Sequence, residues 1–174
     1  MDKKRKIQAS ANFKMYLHEG LLKKEANPLA EERYIENAEL SLNTAYEIMK
    51  SPLKPYLWVI VISYYSMFYI ANAVLLHHGY KTQERIAHKV TCDALIALVL
   101  DRMKVHMLED FEDAQQDAME IISARAESII ESFSFELAKR SRFQYNMLEE
   151  SKEEKAKTSL ERAKIFLFEM RKLL

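Results

Sequence analysis

Apolar side chains recur every three or four positions along most of this chain, the spacing that gathers them on one face of an α-helix. From Asn27 onward, Ile35, Ala38, Leu42, Ala45 and Met49 make one such stripe. Asn27 is suited to cap the helix, Pro28 to occupy its first position, and Glu31 and Glu32 put negative charge in its first turn. Ser51-Pro52 ends it, because a residue before proline is pushed out of the α region. The pattern then changes to a continuous apolar run, YLWVIVISYYSMFYIANAVLL, whose 21 residues from Tyr56 to Leu76 include no charged side chain. Such a run either spans a bilayer or forms the all-round-buried centre of a soluble bundle. Ser63, Tyr64, Tyr65, Ser66, Tyr69 and Asn72 sit in its interior, whereas a membrane span collects tyrosines at the interfaces and keeps hydroxyls and amides scarce. The core helix is therefore expected. It ends at Gly79, with His77 and His78 in its last turn. Adjacent helical positions point about 100° apart, which suits capping or solvent better than a shared metal ion.

Thr82 is placed to cap a fourth helix, with Ile86, Val90, Ala94 and Ala97 on one face and His88, Cys92, Leu95 and Val99 on an adjoining one. His88 reads there as a half-buried, hydrogen-bonded histidine. A long helical segment follows over 107–146, bent or broken at Ser132, Phe133 and Ser134, since an unbroken helix of that length is unusual. Ser151 and Glu154 form a capping box for a last helix whose buried face is Ala156, Leu160, Ala163, Phe166, Leu167 and Met170. Before all of these, Ile7, Ala11 and Met15 form one face of a short helix stopping at Gly20. Lys3, Lys4, Arg5 and Lys6 give that helix a frayed basic start, and residues 1–26 read as a solvated basic arm with a short helix. Residues 27–174 read as a single bundle domain.

Composition supports this reading: two glycines and three prolines in 174 residues leave few turns, so the chain is expected to be all-α. Lysine plus arginine equals aspartate plus glutamate at 26 each, so no global field draws in nucleic acid or an anionic membrane, and any such partner is held by a local patch. Two imbalances are local. Residues 1–30 carry seven positive and three negative charges, a net of +4. Residues 107–138 carry nine acids and one arginine, a net of −8, before Lys139, Arg140 and Arg142. Helix electrostatics accounts for the second gradient, but not for the grouping of Gln144, Tyr145 and Asn146 with that basic cluster. The single cysteine, Cys92, rules out an intrachain disulfide and a cysteine-based zinc site and suits a reducing cytosol. No secretory signal is read at the N-terminus, so the expected location is the cytoplasm, with no membrane partner. No glycine-rich phosphate loop, His-Glu-x-x-His, paired-carboxylate motif or nucleophile elbow is found, so neither a cofactor nor a metal is expected.

AELSLNTAYEIM (38–49), YYSMFYIANAVLLHHGYKT (64–82), IAHKVTCDAL (86–95), ELAKRSRFQYN (136–146) and SLERAKIFLFEM (159–170) follow one another in an order that resembles the HEPN (higher eukaryotes and prokaryotes nucleotide-binding) domain. The similarity covers roughly 30–174, and YLHEGLLKKE (16–25) looks like the leader of some archaeal and bacterial members. The resemblance implies an up-and-down bundle of about five helices that commonly dimerises, with a groove lined by the late arginine. Active members are metal-independent ribonucleases, often toxins, with a histidine four to six residues after that arginine. Others pair with a small nucleotidyltransferase, and in some a tyrosine two positions after the histidine is adenylylated. Here Arg140 matches the motif arginine, Tyr145 falls where the histidine belongs, and Met147 takes the acceptor position; no histidine follows Arg140.

That departure weakens the case for catalysis, because metal-free RNA cleavage needs a group that moves a proton near neutral pH and histidine suits it best. An unperturbed tyrosine, with a pKa of about 10, is a poor substitute. Arg140 remains suited to phosphate through its planar donors, with Arg142, Gln144, Tyr145 and Asn146 as further contacts. On a helix Arg140 and Gln144 share one face and Arg142, Tyr145 and Asn146 another, so a groove between protomers or a bend is needed to gather them. Tyr65, Tyr69 and Asn72 share a face at spacings of four and three and, with His88, are candidates for a supporting groove directed at hydrogen-bond partners. Three readings stand at this point. The first is a homodimeric HEPN-like nucleotide- or RNA-binding protein, one half of a toxin–antitoxin or nucleotidyltransferase pair. The second is a helical interaction module, to which nine methionines and many aromatic residues lend some support. The third is a divergent metal-independent ribonuclease that recruits His88 or His78 across a dimer.

Overall fold

A computed structural model describes residues 3–83, 87–132 and 149–174. The described chain is an all-α bundle with one small two-stranded ribbon. Its elements are α1 (Lys3–His18), β1 (Leu22–Lys24), α2 (Pro28–Met49), α3 (Tyr56–His77), β2 (Tyr80–Thr82), α4 (Ala87–Val99), α5 (Val105–Ser132) and α6 (Glu149–Met170). Short 3-10 turns, Leu100–Arg102 and Arg171–Leu173, follow α4 and α6.

The helix α3 is the hub, packed against α2 over the greatest extent and then against α6, α5 and α4. Although it is long and apolar enough to cross a membrane, 78% of its most apolar window is buried within the bundle. Its Tyr64, Met67, Ile70 and Leu75 join Leu95 and Ile96 of α4, Leu108 and Phe111 of α5, and Phe166 and Met170 of α6 in one core. Phe111 stacks between Phe166, at 5.1 Å, and Tyr64, at 5.9 Å, within the 4.5–7 Å range of favourable ring pairs. A smaller cluster of Ala45, Val59, Ile60, Ala156 and Leu160 closes the far end of the α2–α3–α6 layer. Every residue assigned to the inward face of the last helix is buried. The α2 stripe also turns inward, with Ala38 and Ala45 fully buried. Asn27 caps α2 by accepting the Ala30 N–H at 3.0 Å.

Three local expectations are corrected. The apolar stripe of α1 does not face the core: Ile7 and Met15 are 62% and 43% exposed, while Ala9 and Tyr16 are buried. This helix starts at Lys3 and docks on α4, so it is no solvated arm. Thr82 does not cap α4, because it lies in β2 and its hydroxyl donates to the Asn72 side-chain carbonyl at 2.7 Å. Ser151 does not begin the last helix, which is already helical at Glu149. The predicted break at Ser132, Phe133 and Ser134 falls at and beyond the described end of α5.

The β1–β2 ribbon ties the leader to the turn after α3, pairing Leu22 with Thr82 and Lys24 with Tyr80. Gly20 and Gly79 make the two turns that allow it, at φ values of +71° and +80° that other residues adopt only with strain. The Lys81–Glu25 ion pair at 2.7 Å and the Glu25 N–H donating to the Gly79 carbonyl at 3.0 Å complete the tie.

Candidate functional site

Three helices each turn one polar face toward a common cleft of about 430 Å³: Arg5, Gln8 and Asn12 from α1; Lys89, Cys92 and Asp93 from α4; and Glu112, Gln115, Gln116 and Met119 from α5. Helical periodicity explains the grouping, since each set is spaced by three, four or seven residues, or by one within a turn. The floor is built on Asp93, a carboxylate only 2% exposed in the middle of α4. A buried carboxylate is tolerated only when its charge and lone pairs are matched. Arg5 Nη1 donates to Asp93 Oδ1 at 2.7 Å, while Asn12 Nδ2 and the Tyr16 hydroxyl each donate to Oδ2 at 2.8 Å. Glu112 Oε1 takes Arg5 Nε at 2.7 Å and Nη2 at 2.6 Å, so one guanidinium bridges α4 and α5. Cys92 completes this group, with its thiol 3.6 Å from Glu112 Oε1.

Ionisation follows from the arrangement. Burial alone would lower the Arg5 pKa, and the hydrogen bonds it donates to Glu112 and Asp93 more than reverse that, so the guanidinium stays charged. Burial, and then the hydrogen bond to Asp93, pushes the Tyr16 hydroxyl up and fixes it as a donor. Burial and neighbouring Glu112 push the Cys92 thiol up as well, which leaves it protonated and unreactive.

A second polar feature links α3 and α4. The Tyr64 hydroxyl lies 2.6 Å from His88 Nδ1. Burial raises the pKa of this tyrosine and lowers that of the histidine, so the phenol donates and the neutral imidazole accepts, with its own proton on Nε2. Phe68 packs over the His88 ring at 4.5 Å, and Tyr65 meets it edge-on at 5.9 Å. His88 is thus half-buried and hydrogen-bonded, as its position in the sequence suggests. Of the face expected to seek hydrogen-bond partners, Asn72 does so: its Nδ2 donates to the Phe68 carbonyl, and its Oδ1 accepts from Thr82 at 2.7 Å and Thr91 at 3.3 Å. Tyr65 and Tyr69 instead make ring contacts, with each other at 6.0 Å, and Tyr69 with Tyr34 at 6.2 Å. Tyr64, absent from that candidate face, carries the hydrogen bond.

The other predicted site residues, Arg140, Arg142, Gln144, Tyr145 and Asn146, lie outside the described residues. No group of three or more histidine, cysteine, aspartate or glutamate side chains among the described residues is placed to hold a metal ion. The remaining histidines sit on the surface or at helix ends. His78 Nδ1 donates to the Val74 carbonyl at 2.9 Å, which leaves Nε2 to accept from Arg102 at 3.3 Å. His77 Nδ1 meets Glu31 at 3.2 Å, and His18 and His106 are exposed. Comparison with protein-family models, curated proteins and solved structures found no match.

The α1–α4–α5 cleft was missed by sequence reasoning. Its one signal is Asp93, a charged residue inside VTCDALIALV, matched by Arg5, Asn12 and Tyr16 at helical spacing more than 70 positions earlier.

Proposed function

We propose that this chain is a HEPN-like nucleotide- or RNA-binding protein, homodimeric and cytoplasmic, that works as one half of a toxin–antitoxin or nucleotidyltransferase pair and lacks strong nuclease activity. The observation that carries the reading is the order of elements. Segments 38–49, 64–82 and 159–170, which resemble the family, lie on α2, on α3 with β2, and on α6; the described part of 86–95 lies on α4. The state of the histidines supports binding over cleavage, since His88 accepts from Tyr64 within an aromatic cluster and His78 spends Nδ1 on a backbone carbonyl. Arg140 then serves as a phosphate contact and not as half of a catalytic pair.

Fluorescence anisotropy with a labelled single-stranded RNA tests this. Binding is expected to weaken with salt, as phosphate contacts require, and Arg140→Ala is expected to reduce affinity about tenfold, the loss of one charge-assisted contact. Unchanged affinity removes Arg140 from the site. Cleavage above background in the presence of a chelator would instead establish the divergent ribonuclease. The interaction-module reading is favoured by Ile165 and Phe168 on α6, 52% and 62% exposed, with Lys172 lying over the Phe168 ring at 4.4 Å. Co-purification of a protein partner without RNA binding would select it.

A further inference from the structure

We infer that the outer face of α1 is a docking surface for an anionic phospholipid membrane. This goes beyond RNA binding through Arg140 and does not depend on it. The expectation of no membrane partner rested in part on a chain without net charge. A local patch escapes that argument, and the leader carries one.

Helical spacing sets the patch. Ile7, Ala11 and Met15 follow one another at intervals of four, and Lys3, Lys4, Lys14 and His18 lie three, four or seven positions from them. All seven share the side opposite Arg5, Asn12 and Tyr16, whose side chains reach Asp93 on α4. Ile7 and Met15 are 62% and 43% exposed, and Ala11, His18 and the three lysines are exposed with them. No acidic residue occurs in α1, and the next one along the chain, Glu19, falls past its end. Lys3, Lys4 and Lys14 make no hydrogen bond or ion pair among the described residues. The result is an apolar strip about 12 Å long, from residue 7 to residue 15, interleaved with uncompensated positive charge.

This mixture of residue types selects among anionic partners. Nucleic acid attracts the lysines, but its phosphates gain nothing from an isoleucine and a methionine at the centre of the face. A lipid surface meets both needs in one plane, with headgroup phosphates for the ammonium groups and hydrocarbon just below for the apolar side chains. Lysine stems lie along such a surface while their charged ends reach the headgroups. The face is also set before contact. Asp93 holds the helix from its inner side, so no ordering cost opposes binding, as it does for a disordered segment that folds at a surface. Two large apolar residues are too few for deep insertion, so the association is peripheral and reversible.

Co-sedimentation of the full chain with vesicles tests the inference. Binding to equimolar phosphatidylcholine–phosphatidylglycerol vesicles is expected at about 1 mM accessible lipid, weakening as salt is added, and at least about tenfold weaker on pure phosphatidylcholine. Lys4→Gln with Lys14→Gln is expected to weaken binding about 25-fold, about fivefold for each charge. Ile7→Ser with Met15→Ser is expected to weaken it about fivefold or more. All four side chains are on the surface, so thermal melts matching the parent will show that the fold is retained. No binding to the anionic vesicles, equal binding to pure phosphatidylcholine, or binding indifferent to the lysine pair would each overturn the surface. Sensitivity to the lysine pair alone, with Ile7→Ser and Met15→Ser silent, would mark a general polyanion patch and overturn the membrane assignment. Arg140→Ala is expected to leave vesicle binding unchanged while lowering RNA affinity, so failure of either reading is visible separately.

Discussion

Replacing Arg5 with methionine keeps much of the side-chain bulk on α1 but removes the cation that joins Asp93 to Glu112. Asp93 retains its bonds from Asn12 and Tyr16 but loses its only charge partner among the described residues while its side chain is 3% exposed. Breaking a fully buried pair costs about 3–5 kcal/mol, and an exposed pair about 0–1 kcal/mol. Arg5 and Glu112 are 26% and 31% exposed, so the expected loss is intermediate, about 2 kcal/mol. Adding Asp93→Asn to Arg5→Met removes the orphaned charge and keeps an acceptor for Asn12 and Tyr16. The double variant should therefore be more stable than the sum of the single losses by about 1 kcal/mol or more. Urea unfolding at pH 7 measures these differences, and limited trypsin digestion reports whether α1 separates first, since the backbone at the surface residues Lys14, Lys23 and Lys24 is cleaved only once its helix or strand is released. A loss below about 0.5 kcal/mol for Arg5→Met, the range of an ordinary surface substitution, would refute the claim that this ion pair secures the leader. Strict additivity in the cycle would refute the assignment of the cost to Asp93.

Two further outcomes follow from polar groups between the helices, His88 on α4 and two serines on α3. The His88 pKa is held below its ordinary value of 6.5 by burial. The unfolded chain consequently binds a proton first as pH falls, and the stability present above about pH 6.5 is lost progressively on acidification toward the folded-state pKa. Urea midpoints between pH 7.5 and 5 should show this decline, and His88→Gln should flatten it; an unchanged slope would show that His88 is not the titrating group. Ser63 Oγ is the one buried side-chain polar atom among the described residues without a hydrogen-bond partner, whereas Ser66 Oγ donates to the Ala38 carbonyl at 2.7 Å. Ser63→Ala is expected to be neutral or stabilising by up to about 1 kcal/mol, and Ser66→Ala to destabilise by about 1 kcal/mol. Thermal melts showing the reverse order would contradict these assignments.

The elements legible in the sequence are those whose buried face is apolar. The stripes of α2 and α6 and the uncharged run of α3 report burial directly, because the residues doing the packing are also the hydrophobic ones. The leader misleads for the opposite reason. Its inward face is Arg5, Ala9, Asn12 and Tyr16, and its apolar Ile7 and Met15 face solvent, so a hydrophobic stripe points the wrong way. The partners that make this polar face tolerable lie on α4 and α5, and long-range pairing leaves no local period to read. Thr82 fails similarly: a three-residue strand is too short for alternation to register, and its partner strand begins at Leu22. The predicted phosphate-binding group at Arg140 rests on resemblance, while the cleft rests on three helices converging, which no single stretch contains.

These buried polar contacts share a helix, and that has a consequence for the site. His88 receives Tyr64, Thr91 donates to Asn72, and Asp93 collects Arg5, Asn12 and Tyr16; all three are on α4, within six positions. An apolar interface tolerates a shift of packing at modest cost, since one hydrophobic contact replaces another. A shift of α4 by a turn would leave a buried carboxylate, a buried phenol and a buried amide each short of a partner, with losses of about 1–3 kcal/mol apiece and more for the charge. The polar residues of α4 therefore fix its register against α3 and α1 together. Lys89 lies between His88 and Thr91, and Cys92 and Asp93 follow on the next turn, so the α4 wall of the cleft is set by the same contacts that hold the fold. Tyr64→Phe or Asn72→Leu, neither of which lines the cleft, should loosen that wall as well as the core.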